Sequence, residues 1–237
     1  MIFGAVLAGG TGSRMHIADM PKQFLMLGEK PVVIHTIEKF LACAYFDCIY
    51  IGVHPDWVGY MFDLISKYIP AFENQLEIVT GGSDRNETIL NIIGGIEEKF
   101  GQSKEHVIVT HDSVRPFVTL RILEENVAAV LKYNAVDTVV PANDTIVTSK
   151  DGEEIYEIPN RSFMYQGQTP QSFRVSLLKE LYFSLQEEEK KILTDACKIC
   201  VVRNYPVHLV NGADTNIKIT TPGDYKIAQA ILGGKLD

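Results

Sequence analysis

Apolar and polar positions along this chain follow two different periods. Short continuous apolar runs at Ile2–Leu7, Cys48–Val53, Val107–Thr110 and Val136–Pro141 read as strands buried on both faces. The shorter run Glu77–Val79, which ends at Gly81-Gly82, reads the same way. Between these runs the apolar residues recur every three or four positions. Pro31–Ala44 places Val32, Val33, Ile37, Phe40 and Leu41 on one helical face. Trp57–Tyr68, Thr88–Phe100 (with Ile89, Ile92, Ile93 and Ile96 aligned) and Arg121–Tyr133 repeat the pattern. Strands alternating with helices predict an α/β fold, a Rossmann-like, mostly parallel sheet with helices on both faces.

After Pro141 the rhythm changes. Asp144–Lys150 and Glu153–Ile158 are β-prone runs around Asp151-Gly152, a hairpin signal. A hairpin inserted into an α/β chain predicts a protruding arm, here approximately residues 142–172. Helices at Val175–Gln186, Asp195–Val201 and Pro222–Leu232 and a strand at Val207–Val210 follow. The charged stretch Glu187–Lys191 reads as a solvated helix face or turn. The pattern predicts one domain over residues 1–237, carrying the arm.

Composition narrows the class. A chain of 237 residues, 46% hydrophobic and 22% charged, can bury roughly 70–75% of its unfolded surface without staples. A net charge of −8 speaks against nucleic-acid binding but leaves room for a local basic pocket. Cys43, Cys48, Cys197 and Cys200 are too sparse for a disulfide scaffold, and their apolar surroundings favour buried thiols over a metal or redox role for Cys197-x-x-Cys200. The N-terminal apolar run is short, lacks a basic flank and ends in glycines, and no run reaches a membrane span. The expectation is a cytoplasmic protein without membrane contact.

The candidate chemistry collects where strands end, which is where open α/β sheets bind ligands. The first strand opens into Leu7-Ala8-Gly9-Gly10-Thr11-Gly12-Ser13-Arg14-Met15. No Gly-Lys-Ser/Thr follows, so it is no P-loop. Counting from Gly10, Met15 stands where a dinucleotide fingerprint needs glycine. A ligand-free tight turn and another kind of phosphate cradle remain. For the cradle, glycines let N–H groups approach an anion, Arg14 supplies a planar fork and Lys22 a mobile ammonium. Other strands open into Gly81–Arg85, His111–Pro116 and Asn211–Lys218. Asp112 could hold Mg²⁺ while phosphates complete the shell, or cap the next turn. His111 reads as structural, having no evident partner. Arg85, Arg115 and Arg161 could bind anions or pair with acids.

Seven motifs in order resemble the cytidylyltransferase family of the nucleotide-diphospho-sugar transferase fold. They are Leu7–Met15, Pro21-Lys22-Gln23, Gly81–Arg85, His111–Pro116, Gln168-Thr169-Pro170-Gln171, Thr194-Asp195 and Asn216–Thr220. Two branches are known, acting on 2-C-methyl-D-erythritol 4-phosphate and on D-ribitol 5-phosphate. Tyr165–Phe173, Asn86–Ile89 after Arg85, and Asp112–Phe117 look like the ribitol branch. Ser113 departs from the alanine common to both.

The resemblance implies that Leu7, Ala8, Gly9, Gly10 and the loop Gly81, Gly82, Ser83, Asp84, Arg85, Asn86 and Glu87 hold CTP, with Ser113 and Arg115 beside the nucleotide. It implies Asp112 as the Mg²⁺ residue. Arg14 and Lys22 would stabilise the reacting phosphate. Arg161 and Lys218 would position the acceptor phosphate, and Thr169 and Thr194 would line the acceptor pocket. The arm would cross a homodimer so that Arg161 serves the neighbour's site. The implied reaction is CTP plus D-ribitol 5-phosphate giving CDP-ribitol and pyrophosphate, feeding teichoic acid or surface polysaccharide synthesis and so cell-wall biogenesis. The alternatives are the methylerythritol-phosphate reaction and a nucleotide-binding module without turnover.

Overall fold

The computed structural model describes residues 1–10 and 20–234, the side chain of Glu73 excepted. In chain order the elements are β1 (Ile2–Ala8), β2 (Met26–Leu27), β3 (Lys30–Pro31), α1 (Val32–Leu41), β4 (Cys48–Val53), α2 (Val58–Tyr68) and β5 (Leu76–Thr80). Then come α3 (Arg85–Phe100), β6 (Val107–Asp112), α4 (Leu120–Tyr133), β7 (Ala135–Pro141), β8 (Tyr165–Arg174) and α5 (Val175–Phe183). The chain closes with α6 (Glu187–Lys191), α7 (Ala196–Val202), β9 (His208–Asn211) and α8 (Pro222–Leu232).

Seven strands form one sheet in the order β5-β4-β1-β6-β8-β7-β9. All neighbours pair in parallel except β8, which runs antiparallel between β6 and β7. Helices cover both faces, as the alternation predicted. On one face α1, α2 and α4 bury Ile37, Phe40, Met61 and Val127 against Val6, Ile51 and Val109. On the other, α3, α5 and α7 bury Ile89, Ile92, Leu178 and Ile199 against Phe3, Tyr50 and Ile108. Such double coverage requires strands apolar on both sides, and β4 and β6 are buried throughout.

Strand β8 is absent from the hydropathy pattern. Its polar residues sit in the middle of the sheet because neighbours satisfy them. Ser172 Oγ donates to Asn126 Oδ1 at 2.9 Å, and Gln168 Nε2 donates to Ala213 O at 2.9 Å. Pro170 lies where β7–β8 pairing slips between Asp137 and Val139, a position that tolerates a missing N–H. The excursion beyond the sheet therefore runs over 142–164, and 165–172, expected in the arm, belong to the sheet. The arm folds back on itself at Gly152, whose φ is +83°, and closes with an antiparallel bridge between Thr148 and Glu157.

Helix α3 begins at Arg85, three residues before Thr88, the expected start. Asp84 caps it by accepting from Glu87 N at 2.8 Å. All four cysteines are buried and free. No helix among the described residues is long and apolar enough to cross a membrane.

Candidate active site

A cleft of about 680 Å³ opens at the carboxyl ends of β1, β4, β5 and β6, a size suited to a small-molecule ligand. Backbone forms much of its wall. Leu7, Gly9 and Gly10 line it from β1, and Gly81, Gly82, Ser83, Asp84, Arg85 and Glu87 line it from the β5–α3 junction. Thr88 holds the second segment and lies close against the first. Its hydroxyl donates to Asp84 O at 2.8 Å and accepts from Gly82 N at 3.0 Å. A Cβ at Gly9 would lie 3.4 Å from that oxygen and one at Gly81 3.1 Å, so the loops come this close because they lack side chains.

Gln23 latches the first loop from below. Its Nε2 donates to Ala8 O at 2.9 Å and Gly10 O at 2.8 Å. Ala8 itself is buried beneath the cleft. Lys22 lines the wall beside Gln23. Arg14 and the remainder of the glycine loop, 11–19, lie outside the described residues.

The fourth exit holds the charge. Asp112 is 8% exposed at the end of β6. Its carboxylate faces Lys218 Nζ at 3.0 Å, Arg115 Nε at 3.3 Å and Arg85 Nε at 3.6 Å. Burial alone would push this carboxyl up. The charges of Arg85, Lys218 and Arg115 reverse that and hold it well below the usual carboxylate range. Three cations to one carboxylate leave two positive charges in excess immediately around Asp112, while Asp84 and Glu87 add negative charge elsewhere on the cleft wall. Arg85 Nη1 and Nη2 are buried without a hydrogen-bond partner among the described residues.

A relay behind Asp112 fixes its loop. Asp112 N donates to Thr169 Oγ1 at 3.1 Å, and that hydroxyl lies 2.8 Å from His111 Nδ1. His111 Nε2 lies 3.1 Å from Arg115 O. The geometry fits a neutral imidazole that accepts at Nδ1 and donates at Nε2. Burial pushes its pKa down to about 4. His111 is thus structural, as its lack of a sequence partner implied. Ser113 N donates to Leu7 O at 3.1 Å, joining the first and fourth exits.

The structure therefore brings together Leu7, Gly9, Gly10, Lys22, the Gly81–Arg85 segment, Glu87, Asp112, Ser113 and Lys218 on one cleft. It places the other expected residues elsewhere. Asn86 is buried in the first turn of α3. Arg115 lies behind Asp112 and donates from Nη1 to Asn216 O at 2.7 Å. Thr169 is buried in the relay. Thr194 is exposed beside α7, outside the cleft wall. Arg161 is on the arm, where Nη1 donates to Asn143 O at 2.9 Å. Gln23, Thr88, His54 and Asn91 join the wall without having been singled out. Of these, Gln23 and Thr88 stood within quoted segments, Pro21–Gln23 and Asn86–Ile89.

Glycine-walled loops and a cation cluster at the carboxyl ends of a mostly parallel sheet define the nucleotide-diphospho-sugar transferase fold, here in an enzyme of the nucleotidyltransferase class. The family model described as IspD, 2-C-methyl-D-erythritol 4-phosphate cytidylyltransferase, matches residues 2–234, and the chain belongs to that family. Among solved structures it is similar to the 4-diphosphocytidyl-2C-methyl-D-erythritol synthase of Anaerococcus prevotii, at 26% identity and TM-score 0.80, with 98% of this chain and 96% of that one covered. The 2-C-methyl-D-erythritol 4-phosphate cytidylyltransferase of Francisella tularensis aligns at 22% identity and TM-score 0.79, covering 96% and 97%. That of Thermus thermophilus aligns at 23% and 0.73, covering 98% of each. These last two likenesses concern the fold.

Proposed function

We propose that this cytidylyltransferase transfers the cytidylyl group of CTP to the phosphate of D-ribitol 5-phosphate. The products are CDP-ribitol and pyrophosphate, made in the cytoplasm for teichoic acid or surface polysaccharide synthesis. The observation that carries the reaction type is the excess positive charge around Asp112 where two glycine-walled loops meet. The acceptor's phosphate is already ionised at neutral pH, so its oxygen attacks the α-phosphorus directly and pyrophosphate leaves. No proton need be removed, which accords with a neutral, buried His111. The obstacle is the approach of two anions, and preorganised cations lower it.

On this reading the loops at Leu7–Gly10 and Gly81–Glu87 hold CTP. Lys22, with Arg14, meets charge developing on the α-phosphate, and Lys218 meets the acceptor phosphate. Among the described residues no group of three or more acidic, histidine or cysteine side chains could cage a metal. Asp112 offers one carboxylate, which suits Mg²⁺ held mainly by triphosphate oxygens and water. When bound, that ion would neutralise triphosphate charge. Arg161, which lies on the arm and does not line its own cleft, serves the neighbouring subunit of a homodimer built through the arm.

The ribitol acceptor rests on the Tyr165–Phe173, Asn86–Ile89 and Asp112–Phe117 segments. The methylerythritol acceptor is favoured instead by the names of the matched structures. Pyrophosphate release from CTP with each polyol phosphate in turn tests the choice. Release with ribitol 5-phosphate alone is the expected outcome. Release with only the methyl-branched acceptor would overturn it, and CTP binding with no release from either would indicate a module without turnover.

A further inference from the structure

The sheet face that carries Asp112 carries a second polar group, which the nucleotide cleft does not use. Thr110, Gln171 and Asp137 lie in one row across β6, β8 and β7, paired Thr110 with Gln171 and Gln171 with Asp137. Asp112 stands two residues further along β6, so alternation directs it to the same side as Thr110. At strand spacings of ~4.8 Å and ~3.3 Å per residue, the backbones of Asp112 and Asp137 are roughly 12 Å apart. Gln171 Nε2 donates to Asp137 Oδ1 at 3.1 Å and to Asp195 Oδ2 at 3.2 Å. Asp195 is the cap of α7, which packs on this face.

Two carboxylates on one amide make a poor packing device, because like charges repel and both are partly desolvated. Burial and the nearby charge of Asp195 push the Asp137 pKa up to about 6. Three further observations point to a missing partner. Gln171 is 2% exposed and its Oε1 has no hydrogen-bond partner among the described residues. Arg85, which pairs with Asp112 through Nε, leaves Nη1 and Nη2 buried and unmatched. Its charge acts on Cys197, as do those of Asp137 and Asp195, so it is within electrostatic reach of the same thiol. Finally, a Cβ added at Gly167 would meet Asp137 Oδ2 as its nearest neighbour, at 3.9 Å, so a side chain there would lie against that carboxylate. That glycine has no positive φ, so its backbone does not require it.

Unmatched donors and acceptors together suit a ligand whose groups both donate and accept, which is the property of hydroxyls. We propose that Asp137, Gln171 and Asp195 read the distal hydroxyls of the acceptor, which lies extended with its phosphate at Lys218 and its far end on the Asp137 carboxylate. The assignment rests on the reading of the reaction as cytidylyl transfer to a polyol phosphate, and adds the residues that select the polyol chain.

The test is pyrophosphate release by the purified protein at saturating CTP, with ribitol 5-phosphate, 2-C-methylerythritol 4-phosphate and glycerol 3-phosphate as acceptors. Asp137→Asn preserves shape. Asp195→Asn preserves the cap oxygen of α7. Gly167→Val covers Asp137 from an unstrained position. Each is expected to raise KM for the polyol phosphate that the wild type uses by about 10-fold or more, the range for losing hydrogen bonds to a charged group. KM for CTP should stay unchanged, and the preference for that acceptor over glycerol 3-phosphate should shrink, a change that a purely structural role would not produce. Unaltered acceptor KM and preference in Asp137→Asn and Gly167→Val overturn the assignment while leaving the reaction intact. Absence of pyrophosphate release by the wild type with every acceptor overturns the reaction and the assignment with it.

Discussion

Asp112 is a buried acid whose value depends on its three cationic neighbours. Taking away the carboxylate leaves Arg85, Arg115 and Lys218 facing one another around an uncompensated site. Asp112→Asn is therefore expected to destabilise the fold by about 3 kcal/mol at pH 7, the lower end for breaking a buried pair. The sign with pH follows from a folded pKa held below the unfolded one. The stabilisation is complete above about pH 4 and lost progressively as pH falls below it. Urea unfolding at pH 7 and at pH 3 checks this, and equal midpoint differences at both would contradict it. Lys22, by contrast, lies in the cleft wall, and Lys22→Ala is expected to lower kcat by about 10²–10³ with the fold intact, as for one preorganised donor lost. Single-turnover kinetics with a thermal melt separates the two effects. Both positions stood out in the sequence, Asp112 at a strand exit and Lys22 directly after Pro21, though Asp112 could equally have capped the next turn.

At the scale of elements, β8 decides the geometry of the site. It carries Thr169, which holds the Asp112 N–H and orients His111. Thr169→Val keeps the shape and removes the hydroxyl. About 1–3 kcal/mol of stability should go with it, the usual consequence of leaving buried groups unpaired. Turnover should fall roughly ten-fold through the displaced Asp112 loop, with KM for CTP held, as steady-state kinetics and calorimetry would show. Unchanged kcat would mean that the loop keeps its position without the relay. The strand itself was not legible. Tyr165–Arg174 has no apolar alternation and contains Pro170. It is a central strand only because Asp137, Asn126, Asn216 and His111, all remote in sequence, meet its side chains. The start of α3 was hidden for a related reason. Arg85, Asn86 and Glu87 look like loop residues until Asp84 caps them into a helical turn, and that turn aims Arg85 at Asp112.

At the scale of the whole molecule, the arm stands apart from the sheet with an apolar surface. Ile155, Tyr156, Ile158 and Phe163 are all more than half exposed, Phe163 at 74%. Exposed apolar residues on a protrusion mark an interaction surface, and the proposed homodimer would use it. Phe163→Asp is expected to shift the protein from dimer to monomer in light scattering. It should also lower turnover if Arg161, which does not line its own cleft, acts across the interface. A monomeric wild type would remove both expectations.

By itself the sequence determined what local rules can determine: the alternation of buried strands and amphipathic helices, the glycine-bearing strand exits, and the presence of acid and cation at them. Backbone preference and hydropathy act over a few residues, so these features are written where they occur. The tertiary structure decided which charges share a site. Arg85, Arg115 and Lys218 converge on Asp112 only because β6 ends, α3 begins and the segment before α8 passes at the same rim. Thr169 left the expected acceptor wall for the interior because antiparallel β8 passes beside β6. Asp137, anonymous in its strand, faces Asp195 because α7 packs across β7. Convergence of this kind is set by strand order and helix packing, which no window of the sequence contains.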